Sequence, residues 1–181
     1  MKTRCSALAR LSALAAAAFI FVGAPAAAQQ SLPHSISISR GFMEFDASGT
    51  GSARVFALRG DKALAGRWLL GEASLAYSPI REQFAGADTK LGIADLQLQF
   101  QAPLPFVQPY IGTGLGAVSY LSNAAGRGTA TEAVSIAAGV RSDIWRRFGV
   151  RADGRIRYWD WNGDGFVNSS GELTAGLSYR F

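Results

Sequence analysis

The last residues of the chain, Glu172 to Phe181, alternate polar and apolar without a break and end on an aromatic ring. Leu173, Ala175, Leu177, Tyr179 and Phe181 share one parity, while Glu172, Thr174, Gly176, Ser178 and Arg180 share the other. An extended strand built this way shows one face suited to hydrocarbon and one suited to water. Such a strand fits a sheet whose two sides meet different media. The apolar side faces outward in a closed barrel within a bilayer and inward in a soluble barrel, and parity alone does not separate the two.

The N-terminus points to export. Met1 to Arg10 carries Lys2, Arg4 and Arg10 and no acid, Leu11 to Val22 is apolar, and Ala26-Ala27-Ala28 supplies small residues before Gln29. This is the charged, apolar and small-residue order of a secretory signal, with cleavage expected after Ala28. The apolar stretch falls short of the roughly 20 residues of a transmembrane helix. The expected organisation is therefore a signal peptide over 1–28 and one β-barrel domain over 29–181. The single cysteine, Cys5, leaves with the signal, so the mature domain has neither a disulfide nor a thiol ligand. Three basic residues leave too, and the formal net charge falls from +5 to +2. No basic cluster interleaved with stacking aromatics remains, which excludes a nucleic-acid surface of the usual kind.

Glycine, a poor helix former, occurs 21 times, and apolar residues recur at period two in bursts of ten or more. Eight bursts can be placed: His34 to Phe45, Ser52 to Arg59, Arg67 to Tyr77, Lys90 to Ala102, Phe106 to Leu121, Thr131 to Trp145, Phe148 to Trp161 and Ser170 to Phe181. Their lengths approach the roughly 9–11 residues of a tilted membrane-spanning strand. In the first, Ile36 and Ile38 share parity with Arg40 and Glu44, while Met43 and Phe45 take the other, so a bulge is expected near Arg40-Gly41. The second is short and fits neither parity.

Links alternate as well. Tight ones are expected at Pro103-Leu104-Pro105 and around Arg146-Arg147, with a slightly longer one at Gly60 to Gly66, and longer polar ones at Asp46 to Gly51, Ser78 to Thr89, Ser122 to Ala130 and Asn162 to Ser169. This rhythm is that of short periplasmic turns and longer external loops. The reading is an all-β, eight-stranded antiparallel up-and-down transmembrane β-barrel.

On that reading Leu69, Gly71, Ala73, Leu75 and Tyr77 face lipid, with Leu96, Leu98, Phe100, Ile111, Thr113, Leu115, Ala117, Val134, Ile136, Ala138, Val140, Ile144, Val150, Ala152, Gly154, Ile156 and Tyr158. The opposite parity carries Glu72, Asp95, Arg141, Asp143, Arg151, Asp153, Arg155, Arg157, Glu172 and Arg180, with Gln97, Gln99 and Gln101. These charges balance, and an eight-stranded lumen holds only side chains or one small ligand. A polar plug is expected, with some of the charges at the rim. Gly112, Gly114 and Gly116, beside Ser135, Ala137 and Gly139, are expected to make room for the arginines.

Gln108-Pro109-Tyr110-Ile111-Gly112-Thr113-Gly114-Leu115-Gly116 is similar to the Pro-Tyr-x-Gly-x-Gly-x-Gly strand of small OmpA/OmpX-type barrels and of the outer membrane protein beta-barrel domain family. The terminal strand resembles the closing strand of such barrels. The resemblance implies a bacterial outer-membrane location, lipid and lipopolysaccharide as surroundings, engagement of the barrel assembly machinery through the C-terminal strand, and a monomer. It implies a structural or surface-interaction role, with a narrow OmpW-like channel for small or apolar solutes as the alternative. A cell-wall tether through an appended domain is not expected.

An enzyme is not expected. Barrel lipases and deacylases pair a His with a Ser, and the single histidine, His34, opens the first strand beside Ser35 with no third group to orient it. Asp160 to Asn168 reads as an Asn-Gly and Asp-Gly turn. It also repeats the oxygen spacing of half a calcium loop through Asp160, Asn162, Asp164 and the Phe166 carbonyl, but Gly171 stands where the bidentate Glu belongs. No catalytic, cofactor-binding or metal-binding residue is assigned. A soluble carrier of lipocalin type, with the apolar parity inside, is opposed by the terminal Phe and by aromatics near strand ends, among them Trp68, Tyr77, Phe106, Trp145, Phe148, Tyr158 and Tyr179.

Overall fold

The structure, a computed structural model, describes residues 34–45, 51–80, 89–121, 130–160 and 167–181. Eight strands follow in chain order: β1 (His34–Phe45), β2 (Gly51–Ala65), β3 (Leu69–Ile80), β4 (Thr89–Gln101), β5 (Gln108–Tyr120), β6 (Ala130–Trp145), β7 (Phe148–Asp160) and β8 (Val167–Arg180). Each pairs antiparallel with the next, and β8 pairs with β1 to close the barrel. The His34 and Phe181 backbones exchange hydrogen bonds at the seam.

The register fixes the geometry. Passing from His34 through its successive partners Lys62, Gly71, Leu98, Thr113, Ile136, Ile156 and Gly171 returns to β1 at Glu44, ten residues farther along. Eight strands with a shear of ten require the strands to lean steeply, about 35–45° from the barrel axis. The displacement is even, so inward positions stay inward around the whole circuit. Each step from one strand to the next also rises toward the end that carries Glu44.

The outer wall is apolar. Ile38, Phe42, Leu58, Leu98, Ile111, Leu115, Ile136, Leu173 and Leu177 are exposed there. Every residue of the expected lipid-facing set keeps its outward parity, although Gly71 and Ala117 are buried. The aromatics near strand ends are exposed, and at the short-turn end Trp145, Phe148, Tyr179 and Phe181 form a run of ring contacts 5.3–6.4 Å apart. A wall of this kind gains little from water and much from hydrocarbon, so the soluble-carrier arrangement is the wrong way round.

Several expectations are corrected. The second strand does not stop at Arg59; it runs to Ala65 and leaves a turn of 66–68, with Gly66 in the left-handed region at φ 54°. The β1 register passes through Arg40 and Gly41 without a shift, so no bulge lies there, and irregularities fall instead between Ala63 and Ala65 and between Asp143 and Trp145. Arg40 simply faces outward with Ile38 and Phe42, while Met43 turns in. Arg146, at φ 48°, takes the left-handed conformation of a short hairpin turn. The residues between Asp160 and Val167, where the turn that repeats half of a calcium-loop spacing is expected, and those of the signal segment, lie outside the described residues.

Candidate functional site

The interior is built mainly by β7, whose successive inward positions are Arg151, Asp153, Arg155 and Arg157, all buried. Across the lumen and beside it stand Arg59 and Asp61 on β2, Glu72 on β3, Asp95 on β4, Arg141 on β6 and Glu172 on β8. A strand can carry such a row only where its polar parity meets opposite charge, because a buried ion without a partner is strongly destabilising.

Here the pairing is cyclic. Glu72 binds Arg151 at 2.5 Å and Arg155 at 2.6 Å; Arg155 reaches Asp95 at 3.0 Å, and Asp95 takes Arg157 at 2.8 Å. Arg157 binds Glu172 at 2.6 Å, Glu172 takes Arg59 at 2.6 Å, Arg59 reaches Asp153 at 3.3 Å, and Asp153 returns to Arg151 at 2.7 Å. Four arginines and four carboxylates thus form a closed ring of alternating sign, and each charge has two opposite neighbours. Asp61 extends it toward the short-turn end, binding Arg151 at 3.4 Å and Arg141 at 2.8 Å and accepting a hydrogen bond from Ser35 at 2.7 Å. Arg141 also donates to Gln99 and Gln101 and lies 4.6 Å above the Tyr110 ring.

The plug therefore contains the expected charges with two exchanges. Arg59 and Asp61 fall outside the expected set because the second burst ends at Arg59 and has no face assigned to it; their spacing of two, in phase with Val55 and Ala57, is the available signal. Asp143 and Arg180 pair with each other at 2.8 Å but sit at the rim, a third exposed. The glycine strip on β5 also acts differently from expectation. It admits Gln99, Gln97 and Asp95 from β4 rather than the arginines directly. A Cβ at Gly116 would lie 2.3 Å from an Asp95 oxygen and 2.4 Å from the Ala94 carbonyl. Gly116→Val should consequently lower stability by about 1–3 kcal/mol through overpacking, measured as a shift in the urea midpoint.

Above the ring, at the long-loop end, the lumen changes character. Met43, Val55, Leu91, Ile93, Val118 and Trp159 point inward and form a buried apolar layer that sequence parity left unexplained. Below, at the short-turn end, a cavity of about 40 Å³ is lined by Ser35, Asp61, Gln101, Gln108, Arg141 and their neighbours. His34 stacks on Phe181 at 5.8 Å, at the edge of the barrel and away from the ring. Among the described residues no cluster of three metal-ligating side chains occurs.

An apolar wall with aromatic girdles around a polar interior, in eight antiparallel strands, is the architecture of a small bacterial outer-membrane barrel. The sequence matches the family described as outer membrane protein beta-barrel domain over residues 14–181, and the chain belongs to that family. Its place is the bacterial outer membrane. The fold is similar to that of neisserial surface protein A, with a TM-score of 0.68, 15% identity, and coverage of 82% of this chain and 97% of that one. It is also similar to the N-terminal β-barrel domain of Pseudomonas aeruginosa OprF, with a TM-score of 0.59, 15% identity, and coverage of 84% and 100%. Ail, the attachment invasion locus protein of Yersinia pestis, gives a TM-score of 0.56, 17% identity, and coverage of 84% and 100%. At these identities the likeness is one of fold. No curated protein sequence matches the chain.

Proposed function

We propose that this protein is a non-conducting, non-enzymatic barrel of the outer membrane with a structural or surface-interaction role. The observation that carries the reading is the closed ring of Arg59, Glu72, Asp95, Arg151, Asp153, Arg155, Arg157 and Glu172, which fills the lumen and pairs every charge within it. Ions crossing such a lumen would have to displace bonded arginines and then pass the apolar layer of Val55, Leu91 and Trp159. Conduction by a fixed pore needs a hydrated path, and paired charges next to an apolar layer oppose one.

The rest of the proposal follows the same line. Residues 1–28 are the export signal and 29–181 the mature barrel, which inserts as a monomer through the barrel assembly machinery, with β8 as the strand recognised. The non-catalytic reading is supported by His34, whose ring is stacked on Phe181 at the barrel edge rather than hydrogen-bonded to a nucleophile. The names of the neisserial surface protein and of the attachment protein of Yersinia pestis describe those proteins; they support surface display for this one.

Planar-bilayer recording of the refolded protein tests the reading. The expected result is a silent bilayer after insertion has been verified by gel mobility. Steady single-channel steps would overturn the plug and favour the narrow-channel alternative.

A further inference from the structure

Among the described residues, Arg40 is a charge set within the apolar band of the outer wall. Arg40 faces outward on β1 between Ile38 and Phe42, and its register partner on β2 is Phe56. The guanidinium lies 5.5 Å over the Phe56 ring. Because the register rises from β1 to β2, Phe56 stands nearer the external end, so this contact draws the charge toward the outer leaflet. The next outward residue on β2 in that direction is Arg54, the register partner of Phe42. Arg40 and Arg54 are thus diagonal neighbours, about 7–8 Å apart at the backbone.

No carboxylate lies within ion-pair distance of either guanidinium among the described residues. Glu44, the next outward position beyond Phe42, pairs with neither and leaves the patch at +1. An arginine on a lipid-facing wall is destabilising unless something neutralises it. Two guanidiniums staggered along the outer wall, with Arg54 the nearer to the external end and Phe42 and Phe56 beside them, match a phosphate, which accepts paired hydrogen bonds from arginine. Beside them a groove of about 740 Å³ runs over Phe42, Ile136, Ala138, Gly154, Ile156 and Leu173, with Glu44 and Ser52 also in its lining. Ala138, Gly154 and Gly171 are the small residues along it.

We propose that Arg40 and Arg54 bind the phosphate of an outer-leaflet glycolipid, whose acyl chain lies along the groove over Ala138 and Gly154. The chemistry recognised is a phosphate monoester carried on a lipid. The site belongs to the outer surface and is independent of whether the lumen conducts.

The test is lipid retention by the purified barrel in mixed micelles, read by native mass spectrometry with bisphosphorylated lipid A as probe. Wild type should retain lipid A, and Arg40→Gln with Arg54→Gln should weaken retention at least tenfold. Lys62→Gln, on the outer face but at the opposite end of β2, should leave it unchanged. Dephosphorylated lipid A should not be retained, and millimolar inorganic phosphate should not displace the lipid. Equal retention by wild type and the double variant overturns the proposal. Displacement by inorganic phosphate overturns the lipid assignment in favour of a soluble anion. Should the double variant fold poorly, Arg54→Gln alone, at the edge of the apolar band, is expected to weaken retention several-fold, and no change there counts against the site.

Discussion

Glu72→Gln is expected to lower the unfolding free energy of the barrel by about 3–5 kcal/mol, the usual cost of removing one member of a buried ionic network. Glu72 is the most heavily used carboxylate of the interior: it holds Arg151 and Arg155 within the ring and lies 3.6 Å from Arg141. The amide keeps the volume and removes the charge, leaving the lumen with one uncompensated guanidinium. Urea unfolding in detergent micelles measures the loss. Adding Arg151→Gln restores neutrality, and the double variant should be more stable than the sum of the two single losses implies, by about 0.5–3 kcal/mol of coupling. A single variant within the error of wild type would mean that the ring contributes nothing as a network.

Leu115→Arg should cost about 2–4 kcal/mol if its depth is close to the bilayer midplane. Leu115 is 67% exposed on the outer wall of β5, in the apolar band between the two girdles. Refolding into lipid vesicles and titrating with guanidinium chloride measures the difference. Phe106→Arg provides the depth control, since Phe106 is 81% exposed in the link that follows β4, where the same substitution should cost about 0–1 kcal/mol. Equal costs at the two positions would contradict a lipid-facing wall at Leu115.

The fold was legible because one rule, period-two alternation, acts on every strand, and β1 was placed residue for residue as His34–Phe45. Errors arose where the rule was broken for a local reason. In β2 the sequence Arg59-Gly60-Asp61-Lys62 looks like a polar turn, yet Arg59 and Asp61 point into a charged lumen while Lys62 lies at the bilayer edge, where a long stem reaches water. A suspected bulge at Arg40 had the same origin: an outward arginine contradicts an apolar wall unless an anion meets it there. The identity of the pairs was not legible, because a ring that joins β2, β3, β4, β7 and β8 depends on the shear of the barrel, and no single strand contains that quantity. The inward apolar layer escaped for the opposite reason. Met43, Val55 and Trp159 sit on the polar parity, and nothing local says that a lumen changes polarity along its axis.

Alternating sign around the interior also makes strand pairing self-checking during assembly. A one-residue slip of β7 would turn Arg151, Asp153, Arg155 and Arg157 into hydrocarbon, which parity alone forbids. A two-residue slip preserves parity and would pass every hydrophobic test, but it moves each side chain about 6–7 Å along the strand. That displacement carries an arginine past its own carboxylate toward the next inward position, where Arg155 and Arg157 stand adjacent with like charge and cannot both find their partners. The side chains that occupy the lumen thereby select a single register among those that the lipid-facing wall would accept equally well.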